Sequence, residues 1–146
     1  MTVTTLQQIR DELLEHLIAN GPYYRSEISA CSFDVLEGTS ACAIVFLPGP
    51  DTRRTELAFG SASGTDQMAW SIEGGIYIKD TGDSAALLAR VWQAHDDFVQ
   101  CMSSGRTLGD SVDNCNLDTL SFDPRSYIEA GGFEWAEIRF ALTVEA

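Results

Sequence analysis

The segment 135–145 limits the fold most strictly, because apolar and polar side chains alternate along it. Successive side chains of a β-strand point to opposite faces of a sheet, so the alternation predicts a strand with one buried and one wet face. Such a strand belongs in an antiparallel sheet that is covered on one side. The apolar members are Ala136, Ile138, Phe140, Leu142 and Val144, and the polar members are Glu137, Arg139, Thr143 and Glu145.

A first amphipathic helix is predicted over residues 5–20. Thr5 and Gln8 have the T-x-x-Q spacing of a capping box, in which each side chain binds the other residue's backbone. The helix should end at Asn20 or Gly21, either of which can adopt a left-handed cap, because Pro22 cannot continue it. Apolar residues recur at helical spacing at Leu6, Ile9, Leu13, Leu14, Leu17 and Ile18.

A second amphipathic helix is predicted from its N-cap, Asp83 or Ser84, to about Met102, and residues 103–105 end it. Its apolar residues make a wide stripe, which we expect to cover the sheet. The stripe comprises Leu87, Leu88, Val91, Trp92, His95, Phe98, Val99 and Met102, and the solvent side comprises Arg90, Gln93, Asp97 and Gln100.

Further strands are predicted before and after the second helix. Residues 40–47 are almost all apolar, which is typical of a strand buried on both faces, and the prolines and glycine at 48–50 predict a turn. Residues 68–78 keep one alternation across Gly74 and Gly75, which favours one long bulged strand over a tight hairpin. Weaker strand patterns lie at Phe33 and Val35 and at 117–122.

Two predicted loops contain basic residues. The loop 48–65 is long for a compact domain, and long loops are often functional or mobile. It contains the adjacent pair Arg53 and Arg54, and a second loop at 123–132 contains Arg125. Basic side chains on the loops of an acidic chain can bind a neighbour's carboxylates, although exposed basic pairs are commonly just solvated. Arg53, Arg54 and Arg125 are therefore the candidate subunit-interface residues.

The order of elements is helix, strands, helix, a short helical turn at 107–114, and strands, without regular β-α alternation. That order predicts an α+β fold, in which two main helices pack on one face of a mostly antiparallel or mixed sheet. A single domain over residues 1–146 fits the length, since a chain of this size buries about 70% of its unfolded surface around one core.

Charge and composition exclude several classes of partner. The net charge is −13, from 22 acidic and 9 basic residues, so neither DNA nor an anionic membrane is an expected ligand. No apolar run approaches the ~20 residues of a membrane helix, and the first residues have no signal-peptide pattern, which predicts folding in a cytoplasm. Reduced, structural thiols are expected for Cys31, Cys42, Cys101 and Cys115, which lack disulfide or metal-site spacing.

No known catalytic or nucleotide-binding motif occurs in the chain. His95 and Asp96 are adjacent on a helix and should point about 100° apart, so a core or interface role is favoured for His95. His16 is expected at the surface. We assign no catalytic, cofactor-binding or metal-binding residue, and no cofactor is expected. The loose carboxylate cluster of Asp110, Asp113 and Asp118 does not have calcium-loop spacing.

Two short motifs flank the second helix. A strand ending at Lys79 is followed by D-x-x-A-L-L at 83–88, and the helix is followed by T-L-G-x-x-V at 107–112 and two strands. This order resembles the tail-terminator proteins of long-tailed bacteriophages, also called tail-completion or head–tail joining proteins. The N-terminal helix and the apolar strand ending at Leu47 also fit that family.

The resemblance implies a structural virion protein that is not an enzyme. Such proteins form a homo-oligomeric ring, commonly a hexamer, between the tail tube protein below and the neck or head-closure protein above. The ring would be assembled in the host cytoplasm, and DNA would pass through its lumen without specific binding. A negatively charged lumen withholds phosphate contacts, and a heterologous contact between copies can close a ring.

Two other interpretations stay open on the sequence. The chain could be another neck component, such as a head-closure or adaptor protein. It could also be a small ligand-binding or enzymatic α+β domain with a cavity under the sheet. Trp70, Trp92 and Trp135 would line that cavity, although ordinary core packing also accounts for them.

Overall fold

The computed structural model describes residues 5–21, 23, 31–32, 42–50, 53–56 and 66–145, and every helix and strand named below lies within these ranges. The fold is α+β, as predicted. The helices are α1 (Leu6–Asn20) and α2 (Ser84–Ser104). The strands are β1 (Cys31–Ser32), β2 (Cys42–Pro48), β3 (Arg53–Glu56), β4 (Asp66–Lys79), β5 (Asn114–Ala130) and β6 (Phe133–Glu145).

The described strands form one six-stranded sheet in the order β1-β2-β4-β6-β5, with β3 also paired to β4. Every pairing among them is antiparallel except that of β1 with β2, which is parallel. A tight turn at Gly131 and Gly132 joins β5 to β6, and both glycines have the positive φ that two-residue hairpins favour. The central strands are therefore β4 and β6, and β5 lies at one edge.

Both helices cover the same face of the sheet, where the apolar parity of β6 and β4 predicted a core. Ile76 of β4 is paired with Ile138 of β6 and with Ile44 of β2, and all three side chains are fully buried. Phe98 of α2 packs against the same face of the sheet, and its ring centroid lies 4.9 Å from that of Phe140. The helices add Ile9, Leu13, Leu17, Leu87, Val91, Ala94, Cys101 and Met102 to the same apolar cluster.

Local sequence signals predicted the first residues of both helices correctly. Thr5 and Gln8 form the predicted capping box, and Asp83, rather than Ser84, is the N-cap of α2. The C-cap of α1 is different from the prediction, because Gly21 is extended (φ −97°) and not left-handed. Its backbone N–H nevertheless donates to the carbonyl oxygen of Leu17, which satisfies the helix end without a left-handed residue.

The prediction of a surface position for His16 is wrong, since its side chain joins the two helices. His16 is buried, and its Nε2 lies 2.9 Å from the carbonyl oxygen of Cys101 near the end of α2. Asn20 binds the other ring nitrogen at 3.1 Å. Gly105 permits this approach, because a Cβ there would overlap the imidazole ring. The His16 ring and the Ser104 hydroxyl thus both bind the Cys101 carbonyl oxygen in the last turn of α2.

The predicted loop 48–65 is wrong in its first half. Gly49 donates its N–H to the carbonyl oxygen of Ser71 at 2.7 Å, and the chain then continues as β3 along the same side of β4. The pairing of β2 with β4 begins at Ile72, so the first residues of β4 extend beyond β2. Strand β3 pairs with these residues and satisfies their backbone hydrogen-bonding groups. Arg53 and Arg54 are therefore in a strand. The predicted strand at Phe33 and Val35 lies outside the described residues.

The glycines of β4 do not make the predicted bulge. Register with both neighbouring strands continues unbroken through Gly74 and Gly75. A Cβ at Gly74 would overlap the carbonyl oxygen of Val45 and lie 2.8 Å from Phe140 Cζ. The single long strand is confirmed. The absence of a side chain at Gly74 permits the close approach of Val45 and Phe140. The prediction that the strand at 40–47 is buried on both faces is confirmed for Cys42, Ala43 and Ile44, which are fully buried, and is wrong at its end, where Leu47 is 56% exposed.

The second basic loop is also a strand. β5 is 17 residues long and contains Arg125, so the predicted loop 123–132 shrinks to the glycine turn. Pairing with β6 is interrupted between Phe122 and Tyr127, because Pro124 has no N–H to donate. Residues 107–113 form turns with positive φ at Leu108, Gly109 and Asp110, not the predicted turn of helix.

The core makes a direct prediction about stability. Phe98→Ala should lower the free energy of unfolding by about 3–5 kcal/mol, because it leaves a cavity against Phe140. Urea denaturation measures this change. Gln100→Ala, an exposed site two residues away, is the control and should shift stability by less than about 0.5 kcal/mol. Equal losses in the two variants would contradict the assigned core.

Candidate assembly surfaces

The surface of α2 exposes apolar side chains that the sequence predicted to be core. Trp92 is 69% exposed, Leu88 44% and Val99 37%. His95 lies between them with its side chain 35% exposed. The four positions are spaced by four, three and four residues, so they form one row about 16 Å long, which we name the α2 stripe. Exposed tryptophans in such rows are typical of contact surfaces.

The predicted stripe of α2 was too wide because a helix on a sheet buries only one side. Ala94 and Cys101 lie on the buried side, and the sequence prediction left both out of the stripe. Asp97, predicted to face solvent, is 5% exposed.

A groove between α1 and β2 is the second apolar surface. It has a volume of about 290 Å³ and opens beside Leu47. Phe46 and Ile72 form its floor on the sheet, and Gln7 and Arg10 contribute polar groups from the first turns of α1. Among the described residues, the lining comprises Leu6, Gln7, Arg10, Phe46, Leu47, Pro48 and Ile72. The one sequence signal for this α1–β2 groove is the apolar Leu47 directly before the Pro-Gly-Pro segment.

The sheet face opposite the helices has a polar cluster that the sequence did not predict. Glu137 is only 5% exposed, although it lies on the predicted wet face. Arg139 donates from Nε to Glu137 Oε1 at 2.6 Å, and the bond raises the pKa of Arg139. Burial, followed by a hydrogen bond with Glu137, raises the pKa of Tyr77 to about 12. These groups satisfy one another, which accounts for a buried carboxylate at this position.

A shallow hollow of about 440 Å³ surrounds this cluster. Its polar lining includes Glu73, Thr119 and Ser121, beside Tyr77, Glu137 and Arg139. A general acid or base works best when its pKa is near the operating pH, and the pKa of Tyr77 moves in the opposite direction. The arrangement favours a structural role over proton transfer.

Three of the four cysteines have described side chains, and these three have the properties of structural thiols. Cys42, Cys101 and Cys115 are free and buried. Burial, with smaller effects of Asp97 and Asp118, raises the pKa values of Cys101 and Cys115 to about 12. A thiol nucleophile requires a thiolate near neutral pH, and these two thiols stay protonated there.

The candidate interface arginines lie at opposite edges of the sheet. Arg53 and Arg54 are in β3, opposite Ala69 and Met68 of β4, on the β2 side. Arg125 is in β5 at the other edge, with its side chain 92% exposed and its Nε 3.6 Å from Asp123 Oδ1. The structure does not bring the three together, so they cannot form one basic patch within a subunit.

The other sequence candidates do not converge on a site. Within the described ranges, no group of three metal-binding side chains gathers, and Asp118 instead accepts hydrogen bonds from Asn116 and Thr143. His95 Nδ1 and Asp96 Oδ1 are 3.5 Å apart, closer than predicted but too far for a good hydrogen bond. Trp135 is buried and donates to the carbonyl oxygen of Ala130, whereas Trp92 is on the surface. These two tryptophans do not line a common cavity.

Comparison with known proteins gives no family assignment. The chain matches no protein-family model, and no curated protein is significantly similar to it. Of the helices in the described part of the chain, none combines the length and hydropathy needed to cross a bilayer.

The pKa of Tyr77 gives a prediction about alkaline stability. The unfolded chain loses the Tyr77 proton near pH 10 and the folded chain near pH 12, so this stabilisation is complete below pH 10 and declines between 10 and 12. Between pH 10 and 12, the free energy of unfolding should fall less in Tyr77→Phe than in the unsubstituted chain. Urea denaturation at a series of pH values measures this difference. Tyr127→Phe, at an exposed tyrosine, is the control and should follow the unsubstituted chain. Identical curves for both variants would contradict the role of Tyr77.

The basic pair gives a prediction about association. Reversing both charges, Arg53→Glu with Arg54→Glu, should weaken association between copies roughly tenfold, because like charges across a contact repel. Light scattering over a dilution series measures the change. Arg106→Glu, at an exposed arginine outside the strands, is the matched control. Unchanged association of the double variant would exclude Arg53 and Arg54 from the contact.

Proposed function

We propose that this chain is a structural subunit of a homo-oligomeric ring that terminates a long-tailed phage tail and joins it to the neck. The observation that carries the assembly role is the pair of open apolar surfaces on separate elements, the α2 stripe and the α1–β2 groove. The two surfaces share no residue. A contact between different surfaces of identical subunits is heterologous, and a heterologous contact closes into a ring when its rotation permits.

The location at a tail depends on the resemblance of the motifs flanking α2 to tail-terminator proteins. Those motifs correspond to real structural boundaries. Asp83 of D-x-x-A-L-L is the N-cap of α2, and its carboxylate accepts from the N–H groups of Ala85 and Ala86. Thr107 and Val112 of T-L-G-x-x-V bracket the turn before β5, in which the Val112 N–H donates to the Thr107 carbonyl oxygen.

The charge supports passage of DNA without binding. Six copies of a chain with a net charge of −13 would carry about 78 negative charges. Phosphate contacts from Lys and Arg supply most non-specific DNA affinity, and a subunit with this balance offers few of them. A ring of such subunits would let the genome slide through rather than hold it. Tube and neck proteins above and below the ring would be its other partners.

The proposal is tested by the size and shape of the purified chain. Light scattering should give the mass of a closed oligomer, six copies for a hexamer, and negative-stain images should show a ring with a central hole. A gel-shift assay at low salt should show no retardation of duplex DNA. A chain that stays monomeric at high micromolar concentration, or one that binds DNA tightly, would overturn the proposal.

A further inference from the structure

We propose that Trp92 of one subunit inserts into the α1–β2 groove of the next subunit, so that the α2 stripe and the groove are the two halves of the contact between copies. This inference rests on the proposed ring only in assuming that copies associate. It commits to a second copy of this chain as the occupant of the groove.

The groove fits an aromatic ring in size and chemistry. A cavity of about 150 Å³ is enough to hold benzene, and the groove has about 290 Å³. The described part of its lining is mostly apolar and includes Leu47, Phe46 and Leu6. An indole N–H needs an acceptor when it is buried, and the Gln7 side chain provides a carbonyl oxygen at the rim.

Trp92 is the side chain on the described surface best suited to fill the groove. It is the most exposed of the large hydrophobic side chains there, at 69%, and it is anchored at the middle of a 21-residue helix. A rigid helix presents an aromatic group with little loss of conformational freedom on binding. Leu88 and Val99, one and two turns away on the same row, would pack around the rim and exclude water.

Charges beside the two surfaces are complementary. Asp96 lies one turn from Trp92 with its side chain 76% exposed, and Arg10 lines the groove. In the isolated subunit Arg10 already has partners, including Asp11 at 3.2 Å. Entry of Trp92 into the groove would bring Asp96 towards Arg10 and shield both from water, which strengthens their attraction.

A contact between two copies of the α2 stripe is the competing arrangement. That contact would be isologous, would end at a dimer, and would leave the groove empty. The two arrangements therefore differ in which residues come together, and substitution and cross-linking separate them.

The first test substitutes Trp92 in the full-length chain. Trp92→Ala should weaken association at least about tenfold by light scattering and remove rings from negative-stain images, because the central aromatic of a contact dominates its affinity. Tyr127→Ala, at another exposed aromatic residue, is the matched control and should leave the rings intact. Unchanged thermal melts of both variants would show that the fold is preserved.

The charge pair provides a rescue experiment. Asp96→Arg and Arg10→Asp should each weaken association, and the double variant should restore it to within about threefold of the unsubstituted chain. Failure of the double variant to recover would exclude the pairing of Asp96 with Arg10.

Cross-linking identifies the two faces directly. In a Cys31→Ser background, Gln93→Cys protein and Gln7→Cys protein are mixed and treated with a short bis-maleimide. The native thiols Cys42, Cys101 and Cys115 are buried and should react slowly. Cross-linked pairs should form in the mixture and not in either protein alone. Pairs formed by Gln93→Cys protein alone would overturn the inference in favour of stripe-to-stripe contact.

The outcomes separate this inference from the proposed function. Rings that survive Trp92→Ala would overturn the contact between Trp92 and the groove and leave the proposed ring intact. A monomeric unsubstituted chain would overturn both.

Discussion

The pairing of β4 with β6 is the constraint on which the rest of the structure depends. It runs without interruption over eleven residue pairs, from Ala69 with Glu145 to Lys79 with Trp135. A slip of one residue would turn every apolar side chain of a strand to the wrong face. Because apolar residues dominate one parity of both strands, the register puts Ile76 and Ile138 on the helix side and leaves Glu137 and Arg139 on the other. The position of both helices follows from that register.

The two described helices cover the same face of the sheet, and this arrangement has consequences on both sides. On the helix side, α2 buries the row that contains Ala94 and Phe98, so the neighbouring row with Trp92 must face outwards. On the open side, neither α1 nor α2 shields Glu137, and the side chains of Arg139 and Tyr77 satisfy it instead. The exposed apolar stripe and the buried carboxylate are therefore two results of the same packing, and the stripe is the one that remains open for contact.

Sequence reasoning succeeded where the determining signal is local. Helix starts are set by side chains three residues away, as at Thr5 and Asp83, and strand parity is set within a segment. The predictions failed where an element that is distant in sequence determines the position of a residue. His16 is buried because its ring binds the Cys101 carbonyl oxygen near the end of α2, and Arg53 is in a strand because β4 is longer than β2. Trp92 is exposed because of how α2 is rotated on the sheet, which periodicity alone does not determine.

The net charge of the chain limits the kind of contact that two copies of it could form. Copies with a net charge of −13 repel one another, and salt screens that repulsion only in part. With nine basic residues against 22 acidic ones, ion pairs alone cannot supply the attraction. The attraction must come mainly from burial of apolar surface, and the few cations then act where they fix the register of the contact. An exposed tryptophan on one element and an apolar groove that includes Arg10 on another have the composition that such a contact requires.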